Sequence, residues 1–274
     1  ANGIERDGKE AAKPSLLILN QPVPSWDVFE RLWQHCGYRL CADGGANRLF
    51  DNFADGDGRR EGFIPDIIHG DLDSLRDDVR AYYQSKGVTI SRDPDQYSTD
   101  FGKAIKKIAA ATNKDGNDGY DDSKNSTNGN ANSSSNSSTS EIIILGTLAG
   151  RVDQGLGLLY EMYRESNKHC APHLWLFSES SVSWILPPGR HRIFTPIQSE
   201  EEAGKSNDGA ACFTKMIGIL PAFGPAVIST EGLEWDVREW ETSVGGQVST
   251  SNHVRGQSVV VETDGKVLFT IERA

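Results

Sequence analysis

The chain has 274 residues, with 28 Lys and Arg against 39 Asp and Glu, giving a formal net charge of −11. That balance argues against general binding to nucleic acid or anionic membrane, which both want a basic surface. No apolar run approaches the ~18 residues needed to cross a bilayer. The hydrophobic fraction of 37% is low for a globular protein, but one polar tract accounts for much of the deficit.

In chain order, residues 1–14 form a charged, polar tail that reads as neither a signal peptide nor a clear transit peptide. Ser15 to Asn20 is a continuous apolar run, the pattern of a buried parallel strand. Trp26 to Cys36 carries Trp26, Phe29, Leu32 and Trp33 at helical spacing, with Pro24-Ser25 as its start signal. Tyr38 to Ala42 predicts a strand that ends at Asp43-Gly44-Gly45, and a short helix runs from Ala46 to Phe50. A strand at Ile67, a helix over Leu75 to Ser85, a strand over Val88 to Ser91 and a helix over Phe101 to Ala111 follow. Glu141 to Gly146 is another buried strand, and Val152 to Arg164 another helix. Strands alternating with helices imply βαβ units and a parallel sheet.

Between residues 113 and 140 the composition shifts to Asn, Ser, Asp and Gly, which predicts a disordered insertion. A smaller polar insert covers 199–209. From about Trp175 on, helical periodicity is missing. Short strands are expected at Leu174 to Phe177, Val182 to Leu186, Gly189 to Phe194, Lys215 to Leu220, Ala226 to Thr230, Ser258 to Glu262 and Val267 to Glu272. The predicted architecture is α/β followed by all-β: a doubly wound, mostly parallel domain over 15–178, then a β-sandwich or barrel over 179–274.

Cys36, Cys41, Cys170 and Cys212 are scattered without a C-x-x-C pair, so zinc or a disulfide framework is not expected. A reducing, cytoplasmic setting is the simplest reading. Sequons at Asn125, Asn132 and Asn136 follow from the Asn/Ser-rich composition.

The most informative stretch is Pro65-Asp66-Ile67-Ile68-His69-Gly70-Asp71-Leu72-Asp73-Ser74. If the backbone stays extended, Asp71 and Asp73 point to one side of the strand end. Converging carboxylates repel unless a cation separates them, and hard oxygen ligands suit Mg²⁺. The alternative is an acidic turn, because Asp and Ser are ordinary turn and N-cap residues. Asp43 follows another strand, Asp100 opens a helix and Asp153 lies just past a strand. Ligand crevices in open α/β sheets lie at the carboxyl ends of strands, which would gather Asp43, Asp71, Asp73 and Asp153 on one edge. Asp100 could instead be an N-cap, and Asp153 could simply favour the helix dipole. Gly44-Gly45-Ala46-Asn47 and Gly150-Arg151 offer backbone N–H groups and a guanidinium for phosphate, or else a tight turn. In the β half, Trp235 beside Val248-Ser249-Thr250-Ser251-Asn252 could make an aromatic platform with hydrogen-bonding groups, or Trp235 could pack in the core.

Three motifs mislead. Asp100-Phe101-Gly102 spells a protein-kinase tripeptide, without the other kinase motifs. Gly204-Lys205-Ser206 lacks the first glycine of a Walker loop, because residue 199 is Ser. Gly218 to Gly224 lacks the dinucleotide spacing.

Taken in order, six blocks resemble the eukaryotic thiamine pyrophosphokinases: Ala42 to Arg48, Pro65 to Ser74, Asp95 to Phe101, Gly150 to Gln154, Thr230 to Trp235 and Val248 to Asn252. The long polar insertion looks like a fungal elaboration. The resemblance implies a homodimer with its thiamine pocket where subunits meet, and the reaction ATP + thiamine → thiamine diphosphate + AMP. It implies Asp71, Asp73 and Asp100 as catalytic Mg²⁺ ligands. Asp43, Gly44, Gly45, Asn47, Gln96, Arg151, Asp153 and Gln154 would lie on the nucleotide and phosphate side. Trp235, Ser249, Thr250, Ser251 and Asn252 would hold thiamine. Two other readings stay open: another Mg²⁺-dependent phosphotransferase or nucleotide hydrolase, and a non-catalytic thiamine or nucleotide sensor.

Overall fold

The structure, a computed structural model, describes residues 13–23, 25–54, 56, 58–95, 97–112, 140–197 and 212–274. The expected insertion (apart from Ser140), the insert at 199–209, most of the N-terminal tail and Gln96 therefore lie outside the described residues. The chain divides into two compact units, Ala1–Leu145 with Lys168–His173, and Gly146–Asn167 with Leu174–Ala274.

The first unit contains five parallel strands: β1 (Ser15–Ile18), β2 (Tyr38–Ala42), β3 (Ile67–Gly70), β4 (Thr89–Arg92) and β5 (Glu141–Leu145). Their order is β5-β1-β2-β3-β4. All four residues of β1 and of β3 are buried, which is why these strands read as unbroken or nearly unbroken apolar runs. Edge strand β4 is partly exposed, and its Thr-Ile-Ser-Arg sequence is correspondingly mixed. The connecting helices are α1 (Trp26–His35), α2 (Gly45–Asp51), α3 (Asp77–Ser85) and α4 (Asp100–Thr112). The chain builds outward from β1 to β4, then returns through α4 to β5 on the other side of β1. That reversal opens the strand ends at the place where ligands bind in such sheets.

Helix α1 buries Phe29, Leu32 and Trp33, as its spacing predicts. Phe29 meets Trp26 at 5.6 Å, Trp33 at 5.6 Å and Phe63 at 5.5 Å between ring centroids. Phe63 lies beyond a short 3₁₀ turn (Gly58–Gly62) and is brought onto α1 by this cluster.

The second unit begins with α5 (Val152–Ser166) and continues in β6 (His173–Phe177), β7 (Ser181–Leu186), β8 (Gly189–Phe194), β9 (Phe213–Leu220), β10 (Ala226–Glu231), β11 (Trp240–Thr242), β12 (Ser249–His253), β13 (Ser258–Thr263) and β14 (Val267–Arg273). Antiparallel pairings give the order β12-β9-β14-β7-β6 in one layer and β11-β10-β13-β8 in the other. Ile217, Ile219, Phe269 and Ile271 of the first layer share one buried core with Ile228, Val259 and Val261 of the second. Two sheets closing on one core make a sandwich. The sequence pattern kept α5 and β6 with the α/β part, whereas the division by contacts places α5 and nearly all of β6 in the second unit. Strands β11 and β12 were not foreseen, since Trp-Glu-Thr and Ser-Thr-Ser-Asn-His lack apolar alternation.

Phe29 is fully buried among three aromatic rings. Phe29→Ala is expected to lower unfolding stability by about 3–5 kcal/mol in urea titrations at unchanged m-value. A loss below about 1 kcal/mol would mean that the cluster is not central to this unit.

Candidate active site

At the end of β2, Asp43 leaves the strand with φ 42° and donates its N–H to His69 O at 3.0 Å, which fixes it against the end of β3. Its carboxylate is 4% exposed; Oδ2 accepts from Ser74 N at 3.0 Å, while Oδ1 is buried with no hydrogen-bond partner among the described residues. Strand β3 ends at Gly70, and Asp71 N–H donates to Asp100 Oδ1 at 3.3 Å. Asp100 opens α4, but the cap is Thr99, whose Oγ1 accepts from Gly102 N at 3.1 Å. Asp100 is thus released from capping and turned toward its neighbours. Carboxylate oxygens of Asp43, Asp71 and Asp100 all lie within 4.8 Å of one another.

Close packing sets this spacing. A Cβ on Gly70 would stand 2.9 Å from Asp100 Oδ1 and 3.0 Å from Asp43 Cβ. A Cβ on Gly45 would stand 2.3 Å from Ile18 O, so that glycine lets α2 start directly against β1. Burial, reinforced by Asp71, holds the Asp100 carboxyl above its ordinary range. Lys103, one turn into α4, offers the nearby positive charge: Nζ lies 3.6 Å from Asp100 Oδ1 and 3.7 Å from Asp71 Oδ2. Sequence reasoning missed Lys103. Its signal was a lysine at i+3 from Asp100, flanked by the buried Phe101, Ala104 and Ile105.

The expectation of an extended Asp71-Leu72-Asp73 is corrected. Leu72 is buried with φ 67°, so the chain turns there and period-two alternation stops. Asp73 donates its N–H to Asp71 Oδ1 at 3.2 Å, and its side chain is exposed rather than part of the three-carboxylate group. Asp43 and Asp100 take the neighbouring places instead. Asn47 spends its amide on the same loop, donating to Ser74 O at 2.7 Å and accepting from Arg76 N at 3.2 Å. Gly44 occupies the N-cap position of α2. The described residues do not include Gln96.

In the second unit Arg151 and Asp153 pair with each other, Nε to Oδ1 at 3.1 Å and Nη2 to Oδ2 at 2.5 Å, both exposed, and Gln154 is exposed beside them. Trp235 is 56% exposed, so it is not a core tryptophan. Its turn is held by side chains. Asp236 accepts from Thr230 Oγ1, Gly232 N and Leu233 N at 2.9–3.1 Å. Asn252, expected to line a pocket, is 4% exposed; its Oδ1 accepts from Trp235 N at 3.2 Å and its Nδ2 donates to Trp235 O at 2.9 Å. His253 packs 5.2 Å from the Trp235 ring and bonds Glu234 at 2.6 Å. Thr250 and Ser251 are exposed, and Ser249 is half-buried.

Three oxygen-donor carboxylates, one of them with an unpartnered buried oxygen, suit a small hard divalent cation. Fold and site together define an enzyme with an acidic centre at the strand ends of an α/β unit, joined to an antiparallel sandwich that presents an exposed aromatic ring. The comparisons with known proteins agree. The family model described as "Thiamin pyrophosphokinase, catalytic domain" matches residues 29–173, and "Thiamin pyrophosphokinase, vitamin B1 binding domain" matches 195–268. "Thiamine pyrophosphokinase 2" of Oryza sativa subsp. japonica is 32% identical over 270 residues, covering 95% of this chain and 86% of that protein. "Thiamine pyrophosphokinase" of Saccharomyces cerevisiae is 30% identical over 286 residues, covering 96% and 86%. The crystal structure of yeast thiamin pyrophosphokinase superposes with a TM-score of 0.79 at 28% identity, covering 97% of this chain and 88% of that one. The Candida albicans thiamin pyrophosphokinase structure gives 0.75 at 27%, covering 96% and 90%. The chain belongs to the thiamine pyrophosphokinase family.

Two consequences can be measured. Because Asp100 is held above its ordinary range, the fold disfavours its ionised form. Stability from this residue is therefore fully present below the ordinary carboxylate range and is lost as pH rises through the raised value. Asp100→Asn should raise the melting temperature at pH 7 in chelator while abolishing turnover; an unchanged or lower melting temperature contradicts this reading. Gly70→Ala should keep the fold but displace Asp43 or Asp100, lowering kcat by roughly 10²-fold in steady-state assays. Wild-type kcat in that variant would mean that the packing against Gly70 does not set the site.

Proposed function

We propose that this enzyme transfers the pyrophosphoryl group of ATP to the hydroxyl of thiamine, giving thiamine diphosphate and AMP, with Mg²⁺ as cofactor. The observation that carries the catalytic assignment is the three-carboxylate cluster with its unpartnered Asp43 oxygen, in a chain of this family. The return of the chain through α4 to β5 supports reading the first unit as a doubly wound nucleotide-binding domain.

Asp71, Asp73 and Asp100 are the assigned Mg²⁺ ligands, Asp73 being the exposed member two residues past Asp71, and Asp43 adds a fourth carboxylate. When bound, Mg²⁺ neutralises phosphate oxygens and polarises the phosphorus under attack. The protein's own work is positioning. Gly70 and the Asp71 N–H keep Asp100 aimed at the cluster, and Asn47 keeps the loop that carries Asp71 and Asp73 in place. Asp43, Gly44, Gly45, Gln96, Arg151, Asp153 and Gln154 are assigned to the nucleotide and its phosphates. For Arg151 this means exchanging Asp153 for phosphate, a contact its bidentate fork suits. In the second unit Trp235 stacks on a thiamine ring, with Ser249, Thr250 and Ser251 beside it. Asn252 supports that platform through the Trp235 backbone. The family resemblance supports a cytoplasmic homodimer with thiamine bound where subunits meet. No helix among the described residues is long and apolar enough to cross a membrane.

Incubation with ATP, Mg²⁺ and thiamine should release AMP in step with thiamine diphosphate, and chelation should stop it. ADP as the nucleotide product would refute pyrophosphoryl transfer. Asp71→Asn should lower kcat at least roughly a hundredfold with an unchanged circular dichroism spectrum; near-normal turnover would remove Asp71 from the metal site.

A further inference from the structure

Lys103 is the residue that the metal reading leaves unexplained. Its side chain is 2% exposed, and a buried ammonium is costly unless it is paired. The distances of 3.6 Å to Asp100 Oδ1 and 3.7 Å to Asp71 Oδ2 satisfy charge but exceed hydrogen-bond reach. Among the described residues the ammonium makes these two ion-pair contacts and donates no hydrogen bond. A lysine meant only to lock two carboxylates would bond them directly and occupy their lone pairs. This one stands off, so the oxygens of Asp71 and Asp100 keep their lone pairs for another ligand.

The charge count gives the arrangement a purpose. Leaving aside the exposed Asp73, the three clustered carboxylates carry −3 when ionised, and with Lys103 this cluster carries −2, which one divalent cation neutralises. Before any cation arrives, Lys103 opposes the repulsion among Asp43, Asp71 and Asp100 at two of their carboxylates, whereas Arg92 bonds Asp71 at its backbone O. We propose that Lys103 is a built-in counter-ion: a positioning residue that keeps the carboxylates gathered in the metal-free protein and weakens their grip on Mg²⁺ from the charge of −3 to that of −2. The inference rests on the metal reading above and deepens it.

Lys103→Met keeps most of the length and bulk of the side chain and removes the ammonium with its charge. In chelator its melting temperature should fall below wild type. Calorimetric titration with Mg²⁺ alone, without nucleotide, should give binding at least about tenfold tighter than wild type, since a unit cation about 4 Å from the ligand oxygens has been taken away. Lys103→Arg, which keeps the charge, should retain wild-type Mg²⁺ affinity. The double variant Lys103→Met/Asp100→Asn restores the charge of −2, so in chelator Asp100→Asn should raise the melting temperature more in the Lys103→Met background than in wild type, a coupling that a purely volumetric role would not produce. If Lys103→Met does not fold in chelator, folding of the double variant supports the proposal, and failure of both overturns it. Equal or weaker Mg²⁺ binding by Lys103→Met overturns it, as does weakened pyrophosphate binding at unchanged Mg²⁺ affinity, which would make Lys103 a phosphate contact. If the wild-type protein takes up no Mg²⁺, the metal reading fails on its own. The melting temperatures in chelator, which need no metal, then still decide the role of Lys103.

Discussion

Mutual repulsion among Asp43, Asp71 and Asp100 is the force that the first unit must withstand. Three carboxylates within 4.8 Å would spread apart on a flexible chain. Here each is tethered by backbone. Asp43 is tied through its N–H to His69 O and through Oδ2 to Ser74 N. Asp100 Oδ1 takes the Asp71 N–H, and Arg92 Nε donates to Asp71 O at 3.2 Å. Asn47 closes the loop from the other side, and Arg76, gripping Asp51 with both terminal nitrogens at 2.7 Å, anchors the loop's exit into α3. The parallel sheet supplies what makes this possible, because β2 and β3 end side by side and α4 packs against both.

The second unit solves the converse problem, an aromatic ring kept in solvent. Left alone, a loop tryptophan would fold back onto apolar surface. Asp236 and Asn252 prevent this by bonding the 230–236 turn, Asp236 from the exposed side and Asn252 from within, so that the turn is held while the ring stays in solvent. The buried amide of Asn252 is well satisfied, its Oδ1 also accepting from His253 N at 2.8 Å.

Most of the fold was legible because it follows from burial. Runs such as Leu16-Leu17-Ile18 and Ile142-Ile143-Ile144 have nowhere to go but the centre of a parallel sheet, and Phe29, Leu32 and Trp33 can share one side only in a helix. Where burial does not dictate, reading failed. Strands β11 and β12 are polar and are set by pairing with β10 and β9, not by their own residues. The site was legible as a list of acids and illegible as an arrangement. Alternation put Asp71 and Asp73 side by side, whereas Asp71 lies close to Asp43 and Asp100, because nothing in Asp-Leu-Asp announces a left-handed leucine. Lys103 went unseen for a related reason: a charged residue on a buried helix face looks like noise until its partners, 32 residues upstream and one turn back, are placed around it.

Strained backbone accompanies both candidate sites. Among the described residues, five that are not glycine have clearly positive φ: Asp43, Leu72, Cys170, Glu239 and Ser251. L-residues pay roughly 1–2 kcal/mol for that conformation, so each must be held by its surroundings. Asp43 belongs to the carboxylate cluster and Leu72 follows its member Asp71. Ser251 lies in the irregular register of β12 beside Asn252, and Glu239 ends the loop that follows Trp235, pinned by its N–H to Ser229 Oγ at 2.9 Å. A fold chosen for stability alone would put Asn or Gly at such positions. With Asp, Leu, Glu and Ser there, the unfavourable backbone falls beside side chains assigned to the two candidate sites, as expected where side chains are aimed against local preference, whereas Cys170 lies at neither.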